Sequence, residues 1–315
     1  MSITWIPGGA CLALALLDGT IRVWNSAERV TVAEIVLDKR AIRAVAASAD
    51  GSRIACAADD FAIYQWSALS YIPLGKPMRG HSDRVWCVAY SPIGGRIVSA
   101  SSDRTLRLWH SSTGSPIGQP MRGHQGSVLC LAFSPNGRRI ASGSTDATVR
   151  LWSARAGVLL ATLSMHEDTV TSLCFSPSGT YLVSGSLDKT LRVYKMAPSR
   201  ELRYTIRGHS LGISSLAVTP DYIISGSYDQ TVRCWDPETG SPLSTLFAEN
   251  AGVILSATVS PNGESLLFSS FNDCNISIWP LYGGAGPFQQ SFCTCAHYQC
   301  HEERTRDFPP AQETM

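Results

Sequence analysis

The chain carries almost no net charge and no long apolar segment. Its 315 residues include 26 Lys and Arg against 25 Asp and Glu, which leaves a formal charge of +1. Such a balance gives no long-range basic field to attract nucleic acid or an anionic membrane surface. The longest apolar run, Ala10 to Leu17, is far shorter than the roughly 20 residues that span a bilayer. We therefore expect neither a membrane nor nucleic acid as the main partner.

Motifs typical of nucleotide, metal or protease chemistry are also missing. No Gly-rich loop stands between a strand pattern and a helix pattern, and neither a metalloprotease nor an EF-hand signature occurs. No segment before about residue 285 has the apolar period of a helix. We therefore expect an all-β chain that needs no cofactor and is not an enzyme.

Ten cysteines are present, and Cys87 and Cys130 stand at the same place in two similar apolar runs. Buried thiols at such positions behave as small apolar side chains. Unpaired cysteines suit a reducing compartment. We expect the cytoplasm, with the nucleus as the alternative.

An aromatic residue stands six positions after an aspartate seven times along the chain. The fourth copy reads Asp146-Ala-Thr-Val-Arg-Leu-Trp152, and neighbouring copies are 41 to 44 residues apart. Pro77–Trp109 and Pro120–Trp152 are identical at 20 of 33 positions. A fixed period of this length indicates stacked units that share a core with their neighbours. The aromatic residues are Trp24, Trp66, Trp109, Trp152, Tyr194, Trp235 and Trp279.

Each unit combines short β-prone runs with turn residues. In the fourth unit, Val128–Phe133 and Arg139–Ser144 are predicted strands on either side of the turn Ser134-Pro-Asn-Gly137. A third predicted strand covers Thr148–Trp152. A histidine precedes each of the four central aromatic residues, and in three units it follows a glycine: Gly80-His81, Gly123-His124 and Gly208-His209.

These features resemble the WD-repeat β-propeller family, whose repeats have Gly-His near the start and Trp-Asp at the end. Trp-Asp is complete only at Trp235-Asp236. The resemblance covers roughly residues 1–282 and implies a seven-bladed propeller of four-stranded antiparallel blades. The central repeats are also similar to those of fungal NACHT-type signalling proteins. We assign residues 1–285 to the propeller, with repeats ending near residues 24, 66, 109, 152, 194, 235 and 279, and residues 286–315 to a Cys-containing tail.

The resemblance implies a hydrogen-bonded tetrad of His, Ser, Asp and an aromatic residue inside four units. A buried aspartate needs donors, and His and Ser supply them while the indole N–H completes the network. Ser, His and Asp also form a catalytic triad, but four copies in one chain favour a structural brace. The predicted tetrads are His81, Ser99, Asp103 and Trp109; His124, Ser142, Asp146 and Trp152; His166, Ser184, Asp188 and Tyr194; and His209, Ser225, Asp229 and Trp235.

The two ends depart from the repeat pattern. The first unit begins in its innermost strand, so it offers no outer strand to complete the seventh unit. We expect an atypical seam, at which either residues such as Gly286–Cys295 supply that strand or the chain is one piece of a longer parent. The rest of the tail is polar, and we expect it to be disordered.

The tail contains a cluster of cysteine and histidine residues. Thiolates and imidazoles are the ligands that zinc prefers, but its sites usually contain Cys-x2-Cys pairs, which are missing here. We predict no metal site. The cluster consists of Cys293, Cys295, His297, Cys300 and His301.

The resemblance implies that partners dock on the narrow face, around the channel. The positions are the third and fifth after the histidine and the one before the turn aspartate. Trp86 stands out because its counterparts are not aromatic, and Trp and Arg dominate interface hot spots; the alternative is that Trp86 only packs against a neighbouring loop. The predicted partner-binding residues are Arg84, Trp86, Leu129, Leu187, Tyr228, Arg43 and Leu255.

Together these features favour a non-catalytic scaffold or adaptor in signalling that binds other proteins or peptides. Two alternatives stay open, since fold alone does not choose a function. One is a substrate receptor of a cullin-RING ubiquitin ligase, although Trp152-Ser-Ala-Arg155 lacks the aspartate of the Trp-Asp-x-Arg motif. The other is a ribonucleoprotein assembly factor, for which Arg22, Arg107, Arg150, Arg192 and Arg233 share one repeat position.

Overall fold

The chain forms seven separate antiparallel sheets. The computed structural model describes residues 2–38, 40–196, 200–247, 253–260, 263–270, 276–281 and 291–293. These residues form 27 strands and no helix. The described part of the chain therefore contains no helix that could span a membrane. Six sheets have four strands and one has three. The innermost strands contact one another in sequence around the molecule, and the first also contacts the last. This is a seven-bladed β-propeller, which confirms the predicted fold.

The blades follow one another along the chain, and each begins with its innermost strand. Blade 1 contains β1 (Ser2–Trp5), β2 (Cys11–Ala15), β3 (Thr20–Asn25) and β4 (Val30–Val36); blade 2 contains β5 (Ile42–Ala47), β6 (Arg53–Ala58) and β7 (Ile63–Ser67); blade 3 contains β8 (Val85–Tyr90), β9 (Arg96–Ser101), β10 (Thr105–His110) and β11 (Pro116–Arg122); and blade 4 contains β12 (Val128–Phe133), β13 (Arg139–Ser144), β14 (Val149–Ser153) and β15 (Leu159–Leu163).

The last three blades keep the four-strand order. Blade 5 contains β16 (Val170–Phe175), β17 (Tyr181–Ser186), β18 (Leu191–Lys195) and β19 (Leu202–Ile206); blade 6 contains β20 (Ile213–Val218), β21 (Ile223–Ser227), β22 (Thr231–Trp235) and β23 (Pro242–Phe247); and blade 7 contains β24 (Ile254–Val259), β25 (Ser265–Ser270), β26 (Ile276–Pro280) and β27 (Ser291–Cys293).

The core lies between the blades. An apolar cluster fills each of the seven interfaces between neighbouring blades. Between blades 3 and 4, for example, Val98 and Leu106 pack with Val128, Ile140 and Trp152. A blade buries apolar side chains on both faces, so each unit depends on its neighbours for stability.

Blade 2 differs from the prediction of four strands. The segment that would form its outer strand makes only two isolated bridges, Ile63 with Met78 and Trp66 with Pro73. Pro73 and Pro77 fall in this segment, and proline has no N–H to donate to a neighbouring strand. The prolines alone do not explain the difference, because Pro116 and Pro120 stand at the same two positions in β11 of blade 3, which pairs with β10 as a fourth strand.

Residues from the tail complete blade 7. Ile276 pairs with Cys293 and Ile278 with Ser291, so β27 is the outer strand of this blade. β1 packs against β24, and Trp24 of blade 1 shares an apolar cluster with Leu267 of blade 7. The ring is therefore closed by contact between the first and last blades, and the outer strand comes from within the predicted Gly286–Cys295 segment.

Candidate functional site

Two kinds of loop meet at one end of the ring, which we call the upper face. The loop before an innermost strand carries the histidine, and the turn between the second and third strands carries the aspartate. The N–H of Ser102, just before turn residue Asp103, donates to the carbonyl of Arg84 at 2.9 Å, and Leu187 N–H donates to the Thr169 carbonyl at 2.9 Å. The structure thus places two of the three predicted sets of docking positions side by side.

The tetrad of blade 4 is a continuous chain of hydrogen bonds. Trp152 Nε1–H donates to Ser142 Oγ at 2.8 Å, and Ser142 Oγ lies 2.8 Å from His124 Nε2. His124 Nδ1 lies 2.9 Å from Asp146 Oδ2. The Asp146 carboxylate can only accept, so Nδ1–H of the neutral His124 donates to it, and Nε2 then accepts from the Ser142 hydroxyl. Thr148 completes the site by donating to Asp146 Oδ1 through both its N–H and its hydroxyl.

The same contacts recur in two other blades and partly in a third. Blades 3 and 6 repeat the complete chain of four side chains, with His–Asp distances of 2.7 and 2.8 Å. In blade 5, His166 lies 2.7 Å from Asp188 and 2.6 Å from Ser184, but the buried Tyr194 Oη has no partner at hydrogen-bond geometry. The phenol occupies the place of the indole without completing the network.

Buried hydrogen bonds stabilise the negative charge of the aspartate in these tetrads. Burial alone would raise the pKa of Asp146, but donation from Thr148, Gln125 N–H and His124 outweighs it and lowers the pKa to about 2. Asp229 likewise has a pKa lowered to about 2 by donors that outweigh burial. Burial lowers the pKa of His124 and His209 despite their aspartate partners. A neutral imidazole and an ionised carboxylate therefore brace each of these loops at neutral pH.

The glycine of the Gly-His pair is required by close packing. A Cβ on Gly123 would lie 2.5 Å from Arg150 Nη1 and 3.4 Å from Trp152 Cη2, and Gly208 is equally crowded by Trp235. Blade 5 has Met165 at this position and the smaller Tyr194 in place of tryptophan. The two exceptions to the repeat thus occur together, at positions that touch in the other blades.

Six innermost strands contain a β-bulge at their second residue. In β8, Val85 pairs with Ser101 and Cys87 with Ala100, which leaves Trp86 as the extra residue. A bulge bends the strand and redirects the extra side chain. All six extra residues are partly buried: the Thr171 hydroxyl donates to the Ile213 carbonyl of the next blade and the Ser214 hydroxyl is enclosed, so the extent of exposed side chain differs from blade to blade. They are Arg43, Trp86, Leu129, Thr171, Ser214 and Leu255.

Two of the predicted partner-binding residues contact each other across a blade boundary. The Arg43 guanidinium lies over the Trp86 ring, 5.2 Å from its centroid, and Arg43 also forms two hydrogen bonds with Asp59. Trp86 Nε1–H donates to Ser102 Oγ at 2.6 Å. Trp86 therefore has packing partners of its own, and its role in binding stays a prediction.

The other predicted docking residues also lie on the upper face. Leu129 and Leu255 are bulge residues of blades 4 and 7. Leu187 and Tyr228 are half-buried and precede the turn aspartates of blades 5 and 6. Arg84 is half-buried beside Ser102. Their function as contacts for partners stays a prediction.

The predicted tail cluster is not described as a group. Cys295, His297, Cys300 and His301 lie outside the described residues, and Cys293 ends β27. Within the described part of the chain, no three His, Cys, Asp or Glu residues are grouped so as to hold a metal ion.

Comparison with known proteins identifies the family. Five stretches match the WD domain, G-beta repeat family: residues 73–110, 114–153, 157–195, 200–236 and 240–280. They make up more than half of the chain, which therefore belongs to the WD-repeat family, as predicted. The matches begin at residue 73, in the outer segment of blade 2, so blade 1 and the three strands of blade 2 are recognised as repeats by their spacing and structure.

Curated relatives match over short stretches. The chain is 31% identical over 70 residues to Mitochondrial division protein 1 of Saccharomyces cerevisiae, covering 22% of this chain and 10% of that protein. It is 35% identical over 80 residues to the transcriptional repressor rco-1 of Neurospora crassa, covering 24% and 13%. It is 31% identical over 84 residues to the nuclear distribution protein PAC1 of Ajellomyces capsulatus, covering 26% and 18%. The matched stretches thus span less than a fifth of these relatives.

Proposed function

We propose that this chain is a non-catalytic scaffold that binds protein partners on its upper face. A single observation carries the proposal: six innermost strands each have a bulge at the same place, next to the loops of the upper face, and each bulge adds one residue there that is not fully buried. The fold does not require one residue type there, since the six are Arg, Trp, Leu, Thr, Ser and Leu. Variable side chains on a repeated, braced backbone are typical of a recognition surface.

The tetrads support this function as braces. Ser142 is fully buried, accepts the indole N–H and directs its own hydrogen to His124. A hydroxyl committed in this way, without access to substrate, is unsuited to nucleophilic attack. The tetrads instead hold the histidine loop and the aspartate turn together, which fixes the backbone on which the bulge residues stand.

The names of the relatives do not identify the partners of this chain. The three relatives bear names that refer to mitochondrial division, transcriptional repression and nuclear distribution. These are different processes, and what they share with this chain is a short stretch of repeats. We therefore carry over no process from the relatives, and the proposal rests on the upper face.

The test compares capture of partners by the upper face with capture by other surfaces. The 315-residue chain is used to recover proteins from native extract, beside the Leu129→Glu, Leu255→Glu double variant. The matched control carries Ile93→Glu and Leu243→Glu, two exposed apolar residues away from the bulges. We expect the control to keep the captured set and the bulge variant to lose it, with both folded by circular dichroism.

A photo-crosslinking residue at position 129 supplies an independent measurement. Under the proposal, the crosslinked proteins belong to the captured set. If the bulge variant keeps that set and the control loses it, the partners bind another surface, which would contradict the proposal.

A further inference from the structure

Blade 2 replaces the tetrad with a charged cluster. Cys56 pairs with Val45 and Tyr64, as Ser99 pairs with Val88 and Arg107 in blade 3, so a thiol stands where the tetrad serine would be. Among the residues that the structure describes, no histidine contacts the turn aspartate, Asp60. Its Oδ2 atom instead accepts from Tyr64 Oη at 2.7 Å, Arg79 Nη2 at 2.9 Å and Arg40 Nη1 at 3.1 Å.

The charge and exposure of this cluster are opposite to those of the tetrads. In blade 4 one carboxylate meets a neutral imidazole, and the side chains of Asp146 and His124 are 10% and 0% exposed. In blade 2 two guanidinium groups share one carboxylate. The Arg40 and Arg79 side chains are 40% and 59% exposed. The tetrad therefore carries a buried negative charge, whereas the cluster carries a net positive charge at the surface.

Asp60 remains ionised within the cluster. Burial would raise its pKa, but hydrogen bonds from Tyr64 and Arg79 outweigh burial and lower the pKa overall. One negative charge therefore orients two positive ones without neutralising both. The Tyr64 hydroxyl fixes the position further, because it bonds to both Asp60 and Arg40.

The cluster is continuous with the bulge residues of the upper face. Asp59, next to Asp60, is paired with Arg43 through both of its carboxylate oxygens. Arg43 in turn lies over the ring of Trp86. The charged cluster and the half-exposed indole thus border the same boundary between blades 2 and 3.

We propose that Arg40 and Arg79, with Trp86 beside them, bind a carboxylate-rich segment of a partner protein. This inference rests on the proposed function and specifies the chemistry of the partner. Guanidinium groups bind carboxylates through paired N–H donors, and exposed arginines lose little hydration before they do so. The Asp60 carboxylate holds both arginines in place, which reduces the entropy that a partner must remove on binding.

Repeat symmetry provides matched controls. Arg122 and Arg207 precede their Gly-His pairs as Arg79 does, and all three arginines are exposed. In their blades the preceding turn aspartates, Asp103 and Asp188, are held by histidine. Substitution of Arg122 and Arg207 changes the net charge as much as substitution of Arg40 and Arg79, but leaves the cluster intact.

The experiment uses fluorescein-labelled octaglutamate and the full chain, with anisotropy measured at low salt, where screening is weak. We expect the wild type to bind and the Arg40→Gln, Arg79→Gln variant to bind at least about tenfold more weakly. The Arg122→Gln, Arg207→Gln variant should stay within about twofold of the wild type. Octalysine, as the reversed probe, should not bind.

Three results would overturn the inference: no binding of octaglutamate by the wild type, equal loss in the two double variants, or no loss in the blade 2 variant. If that variant fails to fold, the single Arg79→Gln variant decides, and a loss below about twofold counts against the proposal. None of these results contradicts the proposed function, because capture of partners through Leu129 and Leu255 is measured separately.

Discussion

Asp146 shows how a buried charge can support a surface loop. Its two oxygens accept from the side chain and N–H of Thr148, from Gln125 N–H and from His124. An unpaired carboxylate would be costly to bury, and each lost donor leaves part of that cost uncompensated. The residues of the tetrad are therefore interdependent. Removal of the His124 side chain breaks two contacts at once, those with Ser142 and Asp146.

We expect His124→Ala to lower the free energy of unfolding by about 1–3 kcal/mol at pH 7.5. The pKa of His124 is lowered by burial, so the native imidazole is neutral. Its contribution is present above the unfolded pKa of about 6.5 and is lost as the pH falls toward the native pKa. The cost of the substitution should therefore shrink by pH 5.5. Urea unfolding at both pH values, with the exposed His110→Ala as control, measures it.

The contrary result would be an unchanged urea midpoint for His124→Ala at pH 7.5. It would mean that solvent or Thr148 replaces the imidazole at no cost. An equal loss in His110→Ala would show that the effect is not specific to the tetrad.

At the scale of single strands, the sequence predicts the features that neighbouring residues determine, such as turns and the bounds of strands. The turn Ser134-Pro-Asn-Gly137 and the runs around it give β12 and β13 with the predicted bounds. The bulges are not predictable in this way. Val85–Tyr90 reads as one continuous apolar run, and the extra residue appears only when its pairing with β9 is known. Repeat alignment predicts the position of Trp86. Its partial exposure is explained by the bulge, which only the structure shows.

Blade 2 shows a second limit of the sequence. Arg40 and Arg79 are 39 positions apart and belong to different repeats, yet they meet on Asp60. No sequence motif links them, because this unit lacks the histidine and has no recognisable motif at the same position. Tyr194 is a third case: substitution of a phenol for an indole suggests a retained hydrogen bond, but the buried Tyr194 Oη has no partner at hydrogen-bond geometry.

We expect Tyr194→Trp and Met165→Gly to be coupled. Tryptophan at 194 would bring an N–H to Ser184, as Trp152 does for Ser142, but its outer ring would crowd a Cβ at position 165, as Trp235 would crowd one on Gly208 at 2.9 Å. Glycine at 165 alone costs about 0.5–1 kcal/mol in backbone entropy. Together the two substitutions should cost at least about 0.5–1 kcal/mol less than the sum of the single effects.

Urea unfolding of the two single variants and the double variant gives the coupling energy. Met165→Gly combined with Trp109→Tyr, in different blades, is the control and should be additive. Additive effects at 165 and 194 would contradict the packing explanation for this pair of exceptions.

At the scale of the ring, stability depends on seven interfaces, and they are unequal. Between blades 1 and 2 the cluster includes Ile21, Ile42 and Trp66, together with eleven other buried residues. Among the described residues, the cluster between blades 1 and 7 has five: Ile3, Leu12, Leu14, Trp24 and Leu267. Among the described residues, the apolar cluster at the seam is therefore smaller than the cluster between blades 1 and 2.

We expect β27 to stabilise this seam measurably. A chain ending at residue 293 keeps the pairing of Ile276 with Cys293 and of Ile278 with Ser291, whereas a chain ending at residue 285 loses both. Antiparallel pairing over three residues makes at least two hydrogen bonds, each worth about 1 kcal/mol, so the shorter chain should be less stable by about 2 kcal/mol or more. Amide exchange in β26 should accelerate in it, while exchange in β14 of blade 4 stays slow. Equal urea midpoints and equal exchange in β26 for the two truncated chains would show that blade 7, like blade 2, holds its place in the ring with three strands.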